Sequence, residues 1–275
     1  MREHGRKTGS TILRERPNLS VLKSPREIEL MRAAGRIVRQ VLEEMRRRVS
    51  PGVRLSDLGT IAEEIITRAG GVALFKGVTS PATKFPFPAA ICASVNDVVV
   101  HGIPDDRILD EGDILSVDCG VRLKGYCGDA ATTLPVGRIS PSAAMLLEVT
   151  EETLALALSE MRPGRLWSEV AEQMQRHVES AGFSVVREFV GHGIGQEMHE
   201  EPKVPNYTDR QQKKQDFRLE PGLVLAVEPM VNQGGRAVKI GDASGWPQVT
   251  ADGSLSAHFE QTVAVTEDGV DVLTR

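Results

Sequence analysis

Six histidines are spread over 275 residues, and two of them, His192 and His199, fall close together in Gly191-His-Gly-Ile-Gly-Gln-Glu-Met-His-Glu-Glu-Pro202. A run so rich in glycine excludes a helix interior and reads as a site or the edge of one. His199-Glu-Glu-Pro-Lys203 lacks the second histidine of the zinc-protease helix motif, and no Cys-x-x-Cys flanks it. Any partners of these imidazoles therefore come from elsewhere in the chain.

Carboxylates are the obvious partners. Asp118 and Asp129 lie in an apolar stretch, 114–134, that folds back on itself if Lys124-Gly125 is a two-residue turn. Leu123 then faces Tyr126, Asp118 lies opposite Ala131, and Asp129 lies opposite Gly120. Both acids point to one sheet face as diagonal neighbours, with Cβ atoms roughly 7 Å apart. Two buried carboxylates that close repel each other unless protonated or paired with cations. Glu228 ends the apolar strand Leu223-Val-Leu-Ala-Val227, and Glu260 sits inside Ala257-His-Phe-Glu-Gln-Thr-Val-Ala-Val265. A free carboxylate in either place costs several kcal/mol to bury. With His192 this makes four carboxylates and one imidazole, a donor set suited to divalent Mn, Fe, Co or Zn, whose four negative charges balance two dications. Paired metals activate water and polarise a carbonyl or phosphoryl group. By strand parity His258 shares the face of Glu260 and is read as a rim residue, while His4 and His177 are read as surface.

The elements that must position these residues repeat. Ser24-Pro25-Arg26-Glu27 starts a helix running to about Arg47, with Ile28, Met31, Ile37, Val38, Val41, Leu42 and Met45 on one face. Pro51-Gly52 breaks it, Ser56 is expected to cap a second helix, and Gly70-Gly71 ends that one. Strand-like segments follow around 91–100 and 114–134. Ser140-Pro141 then opens another long helix. Pro163, Gly164, Ser168 and Gly182 repeat Pro51, Gly52, Ser56 and Gly70 at one constant offset of 112. Val100-His-Gly-Ile103 is echoed by Gly191-His-Gly-Ile194, and Leu115-Ser-Val-Asp118 by Leu225-Ala-Val-Glu228. Helix-break-helix order alone is common, but the doubled His-Gly-Ile and the acid ending each strand point to duplication. The expected fold class is α+β: one pseudo-twofold domain, a central sheet with helices packed outside, and the acids and histidines converging near the pseudo-axis.

Bulk properties agree with a globular enzyme. The chain is 40% apolar and 26% charged, enough for a large core. A net charge of −5 argues against nucleic acid as the main partner. No apolar run reaches membrane-spanning length and no signal peptide opens the chain. Cys92, Cys119 and Cys127 leave an odd thiol and no metal-finger spacing, which fits reduced cysteines in the cytoplasm. The first seventeen residues carry five basic and two acidic side chains and read as a flexible, solvated arm.

The chain resembles the type I methionine aminopeptidases of peptidase family M24 from about Val21 onward. Six segments carry the resemblance: Ser94–Pro104, Val117–Gly120, Gly128–Thr133, Gly191–Pro202, Val227–Met230 and Phe259–Thr262. It implies the pita-bread fold, a curved antiparallel sheet with helices on its outer face. With the basic arm taken as 1–20, it leaves one catalytic domain over 21–275, in halves of about 21–138 and 139–275. By the same resemblance, Asp129 and Glu260 bridge two metal ions, Asp118 completes one, and His192 and Glu228 complete the other. His199 contacts the scissile amide, His101 positions the substrate, and Glu228 shuttles the proton. The implied activity is removal of N-terminal methionine from nascent chains when the second residue is small, by a monomer in transient contact with the ribosome. Phe87, Cys92 and Trp246 occupy the stretches that line the family's methionine pocket, where a thioether packs well against ring edges. Thr83–Phe87 lacks the expected tyrosine and glycine, and Met198 stands where a phenylalanine is common. The short polar loop 209–218 leaves no room for the helical insertion of type II enzymes. Two rival readings keep the fold: an Xaa-Pro aminopeptidase or dipeptidase, whose usual extra N-terminal domain the twenty residues before the first helix cannot supply, and a non-catalytic binding module, which predicts missing ligands.

Overall fold

In a computed structural model of the chain, which describes residues 21–275, Ser24 and Glu27 close a reciprocal capping box with Pro25 in the first turn. The basic arm over 1–20 lies outside the described residues. Helix α1 (Pro25–Arg48) buries Met31, Ile37, Val38, Val41, Leu42 and Met45, the face its periodicity required. Gly52, at φ +89°, turns the chain into α2 (Leu55–Arg68). The strands β1 (Val72–Ala73), β2 (Cys92–Val95), β3 (Val98–Val100), β4 (Ile114–Leu123) and β5 (Tyr126–Pro135) follow. Helices α3 (Pro141–Glu160) and α4 (Trp167–Ser180) open the second series. After them come β6 (Ser184–Val185), β7 (Gly191–Gly193), β8 (Glu200–Val204), β9 (Val224–Val227), β10 (Met230–Asn232), β11 (Val238–Ile240), β12 (Gln248–Thr250), β13 (Ser256–His258), β14 (Gln261–Val265) and β15 (Val270–Val272).

The repeat offset is visible in the elements themselves. Helices α2 and α4 have 14 residues each and sit 112 positions apart, as do β1 and β6. Their flanking glycines, Gly52 with Gly164 and Gly70 with Gly182, all take positive φ, which an L side chain would resist. One expectation fails at both repeats in the same way. Ser56 and Ser168 are not caps; each lies one residue inside its helix, behind Arg54 and Leu166, which make no side-chain cap. The first amides are satisfied by distant chain instead: Leu55 and Ser56 donate to the Arg107 and Asp105 carbonyls, Trp167 to the Phe217 carbonyl, and Ser168 to the Asp216 carboxylate. A tertiary strap does the work of a cap in both places.

All strand pairs are antiparallel. Strand β4 pairs β5 along one whole edge and β2 and β1 in succession along the other, while β15-β14-β9-β7-β8 forms a five-stranded sheet. Two large apolar clusters fill the space under the helices. One gathers Val38, Val41, Met45, Leu58 and Ile66 over Leu115, Val117 and Val121; the other gathers Leu146, Trp167, Val170 and Met174 over Leu225, Val227 and Val263. Each helix pair thus has its own core, and the sheet faces away from both helix pairs toward the acids. Among the described residues no helix is long and apolar enough to cross a membrane.

Candidate metal centre

The Lys124-Gly125 turn has φ +51° and +85°, positive at both central residues as a type I′ hairpin turn requires. It fixes the expected register: Leu123 pairs Tyr126, Gly120 pairs Asp129 and Asp118 pairs Ala131. The two carboxyls therefore share one face of the hairpin as diagonal neighbours. Cys92 lies opposite Asp118 on the next strand, β2.

The remaining donors come from the second series of strands. His192, on β7, pairs Ala226 of β9, and β9 ends one residue before Glu228. The backbones approach closely here: a Cβ on Gly191 would sit 2.3 Å from the Ala226 carbonyl oxygen, and one on Gly193 2.2 Å from that of Glu201. That is why the histidine is flanked by glycine. Its Nδ1 lies 2.9 Å from the Gly193 carbonyl, an arrangement that leaves Nε2 free to act as ligand. Nε2 stands 3.6 Å from Glu228 Oε1. Glu260, between β13 and β14, is tied across to β5 by reciprocal backbone hydrogen bonds with Ala131.

Asp129, His192 and Glu260 each offer a ligand atom within 4.8 Å of the others, and so do Glu228, His258 and Glu260. Buried oxygens of Asp118 (Oδ1), Asp129 (Oδ1) and Glu260 (Oε1) have no hydrogen-bond partner, nor does His258 Nε2. Buried polar atoms are ordinarily satisfied, so orphans clustered at one point, all of them metal-ligating types, fit a cation. The electrostatics say the same. Burial, followed by the charge of the neighbouring acids, holds Asp118 and Glu260 well above the usual carboxylate range. Burial and then Glu228 push Asp129 up to about 8, and burial raises Glu228 to about 7 although His192 pulls it down. Burial also lowers His192, and it holds His258 down at about 4. Four acids that resist ionisation together, beside neutral imidazoles, form a site that a dication would stabilise in its charged form.

These donors form the floor of a cavity of about 250 Å³. Its wall is the cluster Phe75, Phe87, Cys92 and Trp246, with Met198 packed against it. Phe87 and Trp246 meet edge to face at 5.1 Å, and the indole N–H donates to the Phe85 carbonyl. His101 and His199 also line the cavity. His101 has φ +62°, uncommon for a residue with a side chain. It is held there because Gly102 packs against the Ala93 carbonyl, where a Cβ would come within 2.2 Å. Burial holds the His101 ring down at about 4. His199 is exposed, with its ring 4.4 Å from that of His192.

A family model described as metallopeptidase family M24 matches residues 29–267. The chain belongs to metallopeptidase family M24. Within it the likeness is to the methionine aminopeptidases. Methionine aminopeptidase 1 of Bacillus subtilis is 48% identical over 93% of this chain and 99% of its own length. The crystal structure of the methionine aminopeptidase from Thermotoga maritima superposes with a TM-score of 0.87 at 40% identity, covering 94% of this chain and 100% of that one. The prolidase from Pyrococcus furiosus shares the fold at a TM-score of 0.70 and 20% identity, spanning 93% of this chain and 66% of its own. The antiparallel sheet backed by helix pairs is therefore the M24 pita-bread fold, as the resemblance implied.

Every residue the sequence singled out for the M24 site lies at this one cavity: Asp118, Asp129, His192, Glu228 and Glu260 below, His101 and His199 beside them, Phe87, Cys92 and Trp246 on the wall. One residue was misplaced and several lining residues were missed. His258 is no rim residue; it is 3% exposed and stands beside Glu228 and Glu260. The parity that put it on the Glu260 face was the available signal. Phe75, Val78, Phe189 and Val190 also line the cavity, but they sit in irregular segments whose direction no periodicity reveals. His177 is half-buried and reaches Glu152 at 3.3 Å between the second pair of helices, and His4 lies outside the described residues.

Proposed function

We propose that this chain removes the N-terminal methionine from peptides and nascent polypeptides whose second residue is small, using two divalent ions drawn from Co, Mn, Fe or Zn. The observation that carries the reading is the juxtaposition at one cavity of a carboxylate-rich, cation-demanding floor with an apolar wall of three aromatic side chains, a thiol and a methionine. Unbranched thioethers pack well against such ring edges and polarisable neighbours. The residues that would hold the ions are Asp118, Asp129, His192, Glu228 and Glu260. Divalent cations bound there supply Lewis-acid polarisation of the scissile carbonyl and acidification of water.

The chain's own side chains do the rest. His199, beside His192 and open to the cavity, donates a hydrogen bond to the carbonyl oxygen as negative charge develops on it. His101, between Phe189 and Trp246, orients the substrate's amino end. Glu228, on the cavity floor 3.6 Å from His192, accepts a proton and passes it to the leaving amine. Phe87 and Trp246 exclude water from the methionine side chain. The same reading carries a cytoplasmic location, action as a monomer, and transient contact with the ribosome, with no membrane or specific nucleic-acid partner.

Purified protein given divalent metal is expected to release methionine from Met-Ala-Ser and to spare peptides with a bulky residue after methionine. Rapid cleavage of Xaa-Pro peptides with no action on Met-Ala-Ser would overturn the reading.

A further inference from the structure

His258 is accounted for by none of the roles above. Its backbone is fixed at both ends: the Thr133 hydroxyl accepts from the His258 N–H at 2.9 Å and donates to its carbonyl at 2.8 Å, and β13 pairs it with Met230. The neighbouring Phe259 belongs to the apolar core beneath the sheet. Strand alternation therefore sends the His258 ring to the same face as Glu260. There it is 3% exposed, and its Nε2 is buried without a hydrogen-bond partner.

Three explanations compete for that nitrogen. As a packing residue it would be expected to find a partner, since buried polar atoms ordinarily do. As a hydrogen-bond donor to Glu228 it stands too far away: Nε2 to Oε2 is 3.5 Å, whereas a charge-assisted bond closes to about 2.7–2.9 Å. Two donors on one cation are different. With metal–ligand bonds of about 2.0–2.2 Å, neighbouring ligand atoms lie roughly 3.0–3.5 Å apart. His258 Nε2 is 3.5 Å from Glu228 Oε2 and 4.0 Å from Glu260 Oε2, so a shift of a few tenths of an ångström completes the set.

We infer that His258 is a sixth ligand of the metal centre, contributing an imidazole nitrogen to an ion seated among Glu228, Glu260 and His258. The inference rests on the metal-binding reading above. The centre then has two imidazoles, His192 and His258, and its preference moves toward imidazole-favouring ions such as Co and Zn and away from Mn.

The test is the proton NMR spectrum of the fully Co(II)-loaded protein, in which each histidine ligating through Nε2 gives one solvent-exchangeable, strongly shifted ring N–H. Two such resonances are expected in the wild type, one of them absent from His258→Gln. Calorimetric titration should show Co(II) affinity about 10- to 100-fold weaker in that variant, with a smaller loss for Mn(II). A wild-type spectrum with one resonance, or two that His258→Gln leaves unchanged, overturns the assignment while the metal centre stands. Failure of the wild type to take up cobalt overturns both. A wild-type count of one overturns the assignment with no variant at all, so the proposal stays falsifiable even where His258→Gln fails to fold.

Discussion

Asp129 is 3% exposed, and burial together with the charge of Glu228 pushes its carboxyl up to about 8. Asp129→Asn keeps the shape and removes the charge. It should lower metal affinity and turnover by at least about 100-fold, the upper end for losing a supporting ligand group, while raising the thermal midpoint of the chelator-treated protein above pH 7, because one repelling carboxylate is gone. His199→Ala should behave in the opposite way. Its turnover should fall about 10²- to 10³-fold, as for loss of an oxyanion donor, with metal content unchanged by atomic absorption. A His199→Ala protein that loses its metal would assign that imidazole to the ions instead. At this scale the sequence was informative, because strand parity and a two-residue turn fix which side chains share a face. Lys124-Gly125 sufficed to set Asp118 and Asp129 side by side. His258 was equally legible by parity, but depth is not: nothing in an alternation pattern separates the rim of a sheet from its centre.

Segment 195–200 carries Met198 and His199 to the cavity, yet it has no regular structure of its own until β8 begins. It is held from outside. The Cys127 N–H donates to the Gly195 carbonyl and its thiol to that of Gln196, the Gln196 side chain reaches the Tyr126 hydroxyl, and Arg122 pairs with Glu197. A further tie is Lys23, its side chain 4% exposed, whose ammonium meets the Glu200 carboxylate at 2.6 Å next to His199. Lys23 is anchored in turn by its N–H on the Gly222 carbonyl. A loop pinned at this point keeps its imidazole in register with His192. Lys23→Ala should therefore lower kcat by about 10- to 100-fold, the scale of an ångström's misplacement, with metal content intact. Adding Glu200→Gln should recover part of the loss, since no unpaired carboxylate then remains beside the ring. Equal effects on kcat and metal content would argue against a positioning role. The pair spans 177 positions, and a single sequence holds no trace of such a contact. The Ser56 and Ser168 caps failed for a related reason: local side-chain propensity was overruled by distant chain satisfying the same amides.

The two series of strands meet along a seam that the duplicated sequence did not disclose. Thr262 exchanges hydrogen bonds with the Asp129 backbone, Ala131 with Glu260, and Thr133 with His258. Hydrogen bonding thus continues from β5 into the second series at the acidic cluster itself, through one backbone pair flanked by two threonine hydroxyls. Threonines on strands look like ordinary sheet formers, so their bridging role is invisible until both halves are in place. One consequence is that the acids cannot separate to relieve their repulsion; the seam that joins the molecule also holds them together. With metal removed, protons must do the neutralising. Asp129 and Glu228 are raised from 3.8 and 4.5 to about 8 and about 7, so folding takes up protons, and their contribution to stability is present at low pH and lost as pH climbs through 7 and 8. The buried His101 and His258 are depressed from 6.5 to about 4. Their contribution has the opposite sign: it is present above 6.5 and is lost as pH falls toward 4. Between pH 6.5 and 8 His101 and His258 are already neutral in the folded chain and the acids dominate the change, so the melting temperature of chelator-treated protein should fall as pH rises across that window. Restoring divalent metal should reverse the trend, with a gain that grows with pH as proton competition for the ligands fades. Calorimetry at pH 6.5, 7.2 and 8 with and without metal checks this, and a metal-free melting temperature that rises over the window would show that the four acids are not held together as the seam requires.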